Sequence, residues 1–122
     1  MSTVLLAEDD LELREVYETW LQEIGDVTIR TASDGREATE QVDESLEVAV
    51  VDRRMPNLSG DEVARTIRSR HPDCDILVVS AFEPDHNIAN EKYDHYLTKP
   101  IGRDRFVAAI ESRLCHSKTT DR

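Results

Sequence analysis

Short apolar runs and longer segments with helical periodicity alternate along this chain. Short runs in which apolar side chains are contiguous, or alternate with polar ones, are typical of β-strands. Such runs occur at residues 4–7, 27–31, 48–51, 76–79 and 96–98. Between them lie segments whose apolar residues recur every three or four positions, as on one face of a helix. The pattern predicts five strand–helix units, and hence an α/β fold with a parallel sheet covered by helices on both faces.

The first predicted helix covers residues 11–24 and has the clearest helical periodicity. Gly25 follows it, in the position where a glycine commonly ends a helix. The apolar face of this helix is expected to contain Leu13, Val16, Tyr17, Trp20, Leu21 and Ile24.

Two further helices are predicted from capping boxes at their first turns. In a capping box, the side chain of the first residue and a glutamate three positions later each accept the other's backbone N–H. Asp34 with Glu37 and Ser59 with Glu62 have this spacing. The helix that begins after Ser59 is expected to end before Pro72, because proline cannot continue it.

The remaining two helices differ in how clearly they are predicted. Residues 82–93 should supply the fourth helix, but they contain few apolar anchors and several poor helix formers, so a short or irregular helix is expected. The last helix has a regular apolar face formed by Phe106, Val107, Ile110 and Leu114.

The composition of the strands predicts their order in the sheet. The runs at 4–7, 48–51 and 76–79 are apolar throughout, so these strands should be central. The runs at 27–31 and 96–98 are more polar and should form the edges. A flavodoxin-like, doubly wound (βα)5 sheet with the strand order 2-1-3-4-5 satisfies both conditions. In such sheets, ligands bind beyond the carboxyl ends of the strands.

Charged and polar side chains follow the predicted strands at the point where each strand ends. Glu8 and Asp9 follow the first strand, Asp52 the third, Ser80 the fourth and Lys99 the fifth. In a parallel sheet these positions converge on one edge. Crowded carboxylates resist ionisation unless a cation lies among them. The edge therefore suits a metal ion, and Lys99 adds one ammonium group that could bind an anion.

The ligand chemistry at this edge favours Mg²⁺. Glu8, Asp9 and Asp52 offer hard oxygen ligands, and Mg²⁺ takes one or two carboxylates while keeping several waters. The four histidines (His71, His86, His95 and His116) show no metal-ligand spacing and are interpreted as surface residues. The alternative for the acids is a set of solvated loop carboxylates without a ligand.

Composition narrows the class of function. The chain has 122 residues and a formal net charge of −11, which argues against nucleic-acid binding. Among its basic residues, arginine is much commoner than lysine. Abundant acids with few lysines are typical of proteins from salt-loving microbes, and the alternative is an ordinary acidic domain. No apolar stretch is long enough to span a membrane.

The remaining composition points to a cytoplasmic protein. The residues at the start of the sequence enter a strand without a basic leader, so a secretory signal is not expected. Cys74 and Cys115 are too few for a disulfide framework and indicate a reducing compartment. Cys74 is interpreted as an ordinary loop thiol. Trp20 is interpreted as part of the core rather than of a binding site.

Four separated segments resemble the motifs of the receiver domain of two-component response regulators. They are residues 6–10 (Leu-Ala-Glu-Asp-Asp), 51–60 (Val-Asp-Arg-Arg-Met-Pro-Asn-Leu-Ser-Gly), 79–81 (Val-Ser-Ala) and 96–100 (Tyr-Leu-Thr-Lys-Pro). The resemblance extends over nearly the whole chain. It implies that residues 1–116 form one receiver domain and that residues 117–122 form a C-terminal tail.

The resemblance implies a role for each charged residue of the predicted edge. Asp52 would be the phospho-acceptor. Glu8 and Asp9 would form the acidic pair of the Mg²⁺ site, together with Asp52 and the backbone carbonyl of Arg54. Lys99 would bind the phosphoryl group.

The resemblance also implies switch and structural residues. Ser80 would be the switch hydroxyl and Tyr96 the aromatic switch residue. The bond between Lys99 and Pro100 is expected to be cis, and Pro56 and Gly60 are expected to shape the loop after Asp52.

The implied function is phosphorelay signalling. A sensor histidine kinase would phosphorylate Asp52 in an Mg²⁺-dependent reaction. The face formed by the fourth helix, the fifth strand and the last helix would then change and control a downstream protein or a covalently attached output domain. No direct binding to nucleic acid or membrane is implied, and the oligomeric state is left open. The alternative function is a phosphorylation-independent interaction module, a pseudo-receiver.

Overall fold

A parallel sheet covered by helices on both faces forms the framework of the protein. The computed structural model describes residues 2–81 and 93–119, with side chains as far as Leu114. The strands are β1 (Ser2–Ala7), β2 (Val27–Ala32), β3 (Leu46–Asp52), β4 (Asp75–Ser80) and β5 (His95–Thr98). The helices are α1 (Leu11–Ile24), α2 (Gly35–Glu40), α3 (Gly60–Arg70) and α4 (Arg103–Thr119).

The strand order confirms the predicted topology. All neighbouring strands are parallel, and they lie in the order β2-β1-β3-β4-β5. The three apolar strands are central, and the two more polar strands form the edges. Each strand begins or ends slightly beyond its predicted limits, because hydrogen bonding to its neighbours extends it past the apolar run.

Alternation along the strands divides the core into two layers. Val4 and Leu6 of β1 lie in the layer covered by α1 and α4, while Leu5 and Ala7 lie in the layer covered by α2 and α3. The first layer is completed by helix residues Tyr17, Leu21, Phe106 and Ile110. The second is completed by Ala38, Val63, Ala64 and Ile67. Trp20 packs against the first layer, as predicted.

Helix α1 has the predicted bounds, but one residue of its predicted apolar face is exposed. Asp10 caps its first turn by accepting the backbone N–H of Leu13, and Gly25 ends it with a φ of 79°. Val16 is 40% exposed and lies at the margin of the apolar face rather than in the core. That part of the prediction is wrong, because a helical face narrower than the predicted one covers the sheet.

One of the two predicted capping boxes is complete. Ser59 and Glu62 accept each other's backbone N–H at the start of α3, which ends at Arg70, before Pro72. At α2, Asp34 accepts the N–H of Glu37 as predicted, but the Glu37 carboxylate accepts the N–H of Ser33. The predicted capping box at α2 is therefore wrong in one of its two bonds, the one from the backbone N–H of Asp34 to the Glu37 carboxylate.

Cys74 and His71 are more buried than predicted. Cys74 is 1% exposed and packs in the layer under α2 and α3, where burial raises the pKa of its thiol to about 12. His71 is partly buried, with Nε2 2.8 Å from the carbonyl oxygen of Leu46. His95 is exposed, as predicted.

Some predictions fall on residues that the structure does not describe. These are nearly all of the fourth helix predicted at residues 82–93, His86, and the side chains of Cys115 and His116. Within the described residues, none of the helices has the length and apolarity that crossing a membrane requires.

Candidate functional site

The topology brings the predicted site residues together at the carboxyl edge of the sheet. Glu8 directly follows β1, Asp52 is the last residue of β3 and Ser80 is the last residue of β4. Lys99 directly follows β5. Because β1, β3, β4 and β5 are consecutive neighbours, these four strand ends form one row.

Three carboxylates from two strand ends form a cluster. One oxygen each of Glu8, Asp9 and Asp52 lies within 4.8 Å of the others. Glu8 is 1% exposed and Asp52 is 7% exposed, whereas Asp9 is exposed to solvent. Hard oxygen ligands that are open to solvent on one side fit Mg²⁺, which keeps several of its waters.

Lys99 places an ammonium group beside this cluster. Its Nζ lies 2.9 Å from Oε1 of Glu8 and 3.6 Å from Oδ2 of Asp52. Burial disfavours the charged ammonium. The hydrogen bond to Glu8 and the negative charges of Asp52 and Glu8 outweigh that effect and raise the pKa of Lys99. Lys99 is therefore charged throughout the physiological pH range.

Asp52 lies in surroundings that oppose its ionisation. Burial is the largest cause, followed by the hydrogen bond and the charge of Glu8, and the positive charge of Lys99 offsets them only in part. Together these effects raise the pKa of Asp52 to about 8. A divalent cation among the carboxylates would lower this pKa, since it stabilises the ionised form. The donor set thus fits a metal on electrostatic grounds as well as by geometry.

Local hydrogen bonds hold Glu8 in place. Its Oε2 accepts the backbone N–H of Asp10 at 3.2 Å, while its Oε1 accepts from Lys99. Its backbone carbonyl accepts from Nη1 of Arg14 at 2.9 Å, which ties the end of β1 to helix α1. Both oxygens of this buried carboxylate are therefore engaged.

The loop after Asp52 is closed by Gly60. Its N–H donates to the carbonyl of Arg53 at 2.7 Å. A Cβ at Gly60 would lie 2.3 Å from the carbonyl oxygen of Asp52 and 2.5 Å from Cα of Arg53, so the close approach requires glycine. The loop also contacts α2, because the Pro56 carbonyl accepts the N–H of Gly35 at 3.2 Å. Gly60 thus permits the close approach within the loop, and Pro56 links the loop to α2; their structural roles stay a prediction.

The other predicted residues lie around this edge. Ser80 is 1% exposed, and its carbonyl accepts the backbone N–H of Lys99 at 2.7 Å. The bond between Lys99 and Pro100 is cis, as predicted. Tyr96 is partly buried and packs edge-on against Tyr93, with 5.5 Å between the ring centroids.

Sequence reasoning missed Arg53. It is 9% exposed and forms a bidentate ion pair with Asp61, whereas the side chain of Arg54 is exposed. The signal that could have found it is strand alternation: Arg53 lies two positions after Val51, which faces the layer under α3. The backbone carbonyl of Arg54 as a metal ligand stays a prediction.

Comparison with known proteins agrees with this geometry. The family profile of the response regulator receiver domain matches residues 4–111. A CpxR homolog of Haemophilus influenzae is 40% identical over 119 residues, which cover 96% of this chain and 52% of that protein. A Haloferax volcanii protein named for transcriptional regulation is 36% identical over 115 residues, covering 93% of this chain and 19% of the relative.

Solved structures show the same fold. The response regulator TrrA of Thermotoga maritima, in complex with Mg²⁺-BeF, is 27% identical with a TM-score of 0.82, over 93% of this chain and 99% of that one. A CheY-like receiver domain protein of Methanospirillum hungatei has a TM-score of 0.86 at 18% identity, covering 98% of both chains.

The chain belongs to the response regulator receiver domain family, a class that works in phosphorelay signalling. It spans about a fifth of the Haloferax relative and about half of the Haemophilus relative.

Proposed function

We propose that this receiver domain accepts a phosphoryl group on Asp52 in an Mg²⁺-dependent reaction. The observation that carries the proposal is the arrangement at the sheet edge. A buried carboxylate there lies within 4.8 Å of two others, and an ammonium lies 3.6 Å from it. Crowded and buried carboxylates do not stabilise a fold, because crowding and burial disfavour their charged form. The arrangement is suited to a ligand that brings both a cation and an anion.

The proposed reaction is phosphoryl transfer from a phosphohistidine of a sensor histidine kinase. An oxygen of Asp52 forms the new bond to phosphorus as the phosphorus–nitrogen bond breaks, and the electron pair of that bond stays on the histidine ring. Lys99 binds a phosphoryl oxygen, and the hydroxyl of Ser80 donates to another. Such positioning and charge stabilisation account for most of the catalysis in phosphoryl transfer.

Mg²⁺ would be held by Glu8, Asp9 and Asp52, with the Arg54 carbonyl as a further ligand. When bound, it supplies positive charge that favours ionised Asp52 and offsets the charge that develops on the phosphoryl group. The Mg²⁺-BeF complex of TrrA supports this choice of metal.

Apolar side chains beside the site support a protein partner as phosphoryl donor. Leu11 and Val16 of α1 are 57% and 40% exposed. A separate apolar cleft, lined by Leu13, Tyr17 and Trp20, extends to Lys99. A kinase segment that covered this surface would bring its phosphohistidine next to Asp52.

The output follows from the switch residues. Phosphorylation would draw Ser80 towards the phosphoryl group and let Tyr96 rotate inward, a population shift between two states of the face that contains β5 and α4. The changed face would control a downstream protein or an attached output domain. Two relatives have names that refer to transcriptional regulation, which supports an output in the control of transcription.

The proposal includes the setting of the domain. Residues 1–116 form the receiver domain, residues 117–122 form a tail whose first three residues continue helix α4, and the protein acts in the cytoplasm. The acidic, lysine-poor composition supports an origin in a salt-loving microbe, and the relative in Haloferax volcanii agrees with it. The alternative of a phosphorylation-independent module is less well supported, because the acidic cluster and Lys99 are both present and in contact.

Incubation with acetyl phosphate tests the proposal. Intact mass is measured for the wild type, Asp52→Asn and the control Asp43→Asn, each with Mg²⁺ and with EDTA. Asp43 is an exposed carboxylate paired with Arg30, away from the site. We expect one phosphoryl group on the wild type and on the control with Mg²⁺ only, and none on Asp52→Asn. A mass gain that persists in Asp52→Asn would contradict the assignment.

A further inference from the structure

A second buried charged group lies next to the proposed phospho-acceptor. Arg53 directly follows Asp52, and its guanidinium contacts both carboxylate oxygens of Asp61. The distances are 3.0 Å from Nε to Oδ1 and 3.3 Å from Nη2 to Oδ2. The remaining nitrogen, Nη1, lies 3.5 Å from the hydroxyl of Tyr96. One arginine thus contacts the first turn of α3 and the switch tyrosine of β5.

Strand alternation explains why these residues meet. Val51, Val78 and Tyr96 are register neighbours across β3, β4 and β5, so their side chains share one face of the sheet. Arg53 is two positions after Val51 and lies on that same face. Asp61 is in the first turn of α3, which packs there. Consecutive residues at the end of β3 therefore face opposite layers, one towards the acidic cluster and the other towards Tyr96.

The guanidinium of Arg53 is held firmly. The backbone N–H of Arg53 donates to the Val79 carbonyl at 3.0 Å, and its carbonyl accepts from Gly60 at 2.7 Å. The bidentate pair fixes the planar side chain at its other end, since an arginine fork matches a carboxylate in geometry. Arg53 is thus the firmly held partner in its contact with Tyr96.

We propose that Arg53 is a positioning residue for Tyr96. In this proposal, the arrangement with the Tyr96 hydroxyl against Arg53 is that of the unphosphorylated protein, and the contact opposes inward rotation of the tyrosine. This inference rests on the proposed function. Because coupling between two sites is reciprocal, a contact that favours the unphosphorylated state weakens binding of anything that favours the phosphorylated state. Arg53 therefore sets how readily the domain switches.

The contact can be tested with beryllofluoride, which forms a complex with Mg²⁺ on TrrA. Titration calorimetry in saturating Mg²⁺ gives its apparent Kd for the wild type, Arg53→Gln, Tyr96→Phe and the double variant. Because the contact is long, at 3.5 Å, its loss should tighten binding only about three- to fivefold in either single variant, in the lower part of the range for one hydrogen bond. The double variant should bind no more tightly than either single variant, since both remove the same contact.

Arg30→Gln is the matched control. It removes an arginine from another aspartate pair, Arg30 with Asp43, on the edge strand β2. We expect its Kd to equal that of the wild type. Asp61→Asn removes the carboxylate charge that orients the guanidinium and should shift Kd in the same direction as Arg53→Gln. If Arg53→Gln does not fold, Asp61→Asn and Tyr96→Phe answer the same question.

The outcomes separate this inference from the proposed function. Weaker or unchanged binding in Arg53→Gln, or an effect that persists undiminished in the Tyr96→Phe background, would overturn the positioning role while leaving phosphorylation of Asp52 intact. A purely structural ion pair would lower thermal stability without this coupling to Tyr96. If the wild type shows no Mg²⁺-dependent binding, or Asp52→Asn binds equally well, the proposed function fails and the inference fails with it.

Discussion

Asp52 and Arg53 are consecutive residues, yet their side chains belong to two buried charged clusters of opposite character. The cluster around Asp52 combines the carboxylates of Glu8 and Asp9 with the ammonium of Lys99, so negative charge is in excess. The cluster around Arg53 matches one guanidinium to one carboxylate, with two hydrogen bonds between them. Asp52 and Arg53 lie at the end of the same strand and are 7% and 9% exposed. A difference in burial therefore does not explain the different character of the two clusters.

The comparison shows how a functional site differs from a positioning contact. In a buried ion pair with matched charges and good geometry, each partner neutralises the charge of the other and meets its hydrogen-bonding needs. Such a pair needs no ligand. An unbalanced cluster is stable only when something else is added, whether a proton on Asp52, a metal ion or both. Perturbed titration of this kind is typical of functional sites.

Among the variants considered, removal of the Lys99 ammonium should have the largest effect on the free energy of unfolding. We expect Lys99→Met to lower the free energy of unfolding of the metal-free protein by about 3–4 kcal/mol, because it leaves the buried carboxylate of Glu8 without the cation that lies 2.9 Å from it. Urea denaturation in EDTA at pH 7 measures this. A loss below about 1 kcal/mol, as for an exposed pair, would show that the cluster is better solvated than its burial indicates.

A side chain at Gly60 should disturb both clusters at once. Its Cβ would overlap the Asp52 carbonyl and Cα of Arg53. We expect Gly60→Ala to cost about 2–3 kcal/mol, since the overlap is with backbone that cannot yield easily. Gly102→Ala is the control, because nothing lies within 4 Å of a Cβ built there, and it should change stability by less than about 0.5 kcal/mol. Equal effects in thermal denaturation would refute the close approach.

Neutralising Asp52 should stabilise the metal-free protein. The pKa of Asp52 is raised from 3.8 to about 8, so the folded protein keeps a proton that the unfolded chain releases. The wild type should therefore lose stability as pH rises from about 4 to about 8. We expect Asp52→Asn to be more stable than the wild type by about 1–2 kcal/mol at pH 8 in EDTA, and by less at pH 5.

Urea denaturation at the two pH values checks this sign. Saturating Mg²⁺ should reverse the order, because bound metal stabilises the wild type by mass action. Asp43→Asn should show no such gain at pH 8, since hydrogen bonds from Ser45 and Arg30 lower the pKa of Asp43. If Asp52→Asn were the less stable protein at both pH values, the excess of negative charge would be disproved.

The smallest effect is expected at an exposed matched pair. Arg30 and Asp43 are 2.8 Å apart, with side chains 29% and 52% exposed. Arg30→Met should change the free energy of unfolding by less than about 1 kcal/mol, because solvent screens the pair in both states. The same denaturation series as for Lys99→Met measures it. A cost as large as that of Lys99→Met would remove the distinction between buried and exposed charge.

Much of the site could be predicted from the sequence because strand ends are local features. Each apolar run ends at a residue that can be read directly, and parallel pairing places those ends on one edge. The four motifs then identify Asp52, Lys99 and their neighbours. The carboxylate cluster and the cis bond before Pro100 agree with that prediction.

Other features could not be predicted because they depend on contacts distant in sequence. In the sequence, Arg53 looks like any polar loop residue. Only the folded structure brings it next to Tyr96, which is 43 positions away along the chain. Cys74 looks like a loop thiol until the strands enclose it, and Val16 lies outside the core although it fits the helical pattern. One exception is local: the Glu37 carboxylate accepts the N–H of Ser33 rather than that of Asp34, because the path of the backbone decides which N–H points at it.

The sequence by itself determined the fold class, the strand order and the residues that meet at the carboxyl edge of the sheet. It could do so because periodicity and strand polarity are properties of short segments. The tertiary structure alone decided which oxygen of Glu8 receives Lys99, how far the pKa of Asp52 is raised, and which side chain faces Tyr96. Those outcomes depend on burial and on distances of a few ångströms between strands, which no segment of the sequence contains.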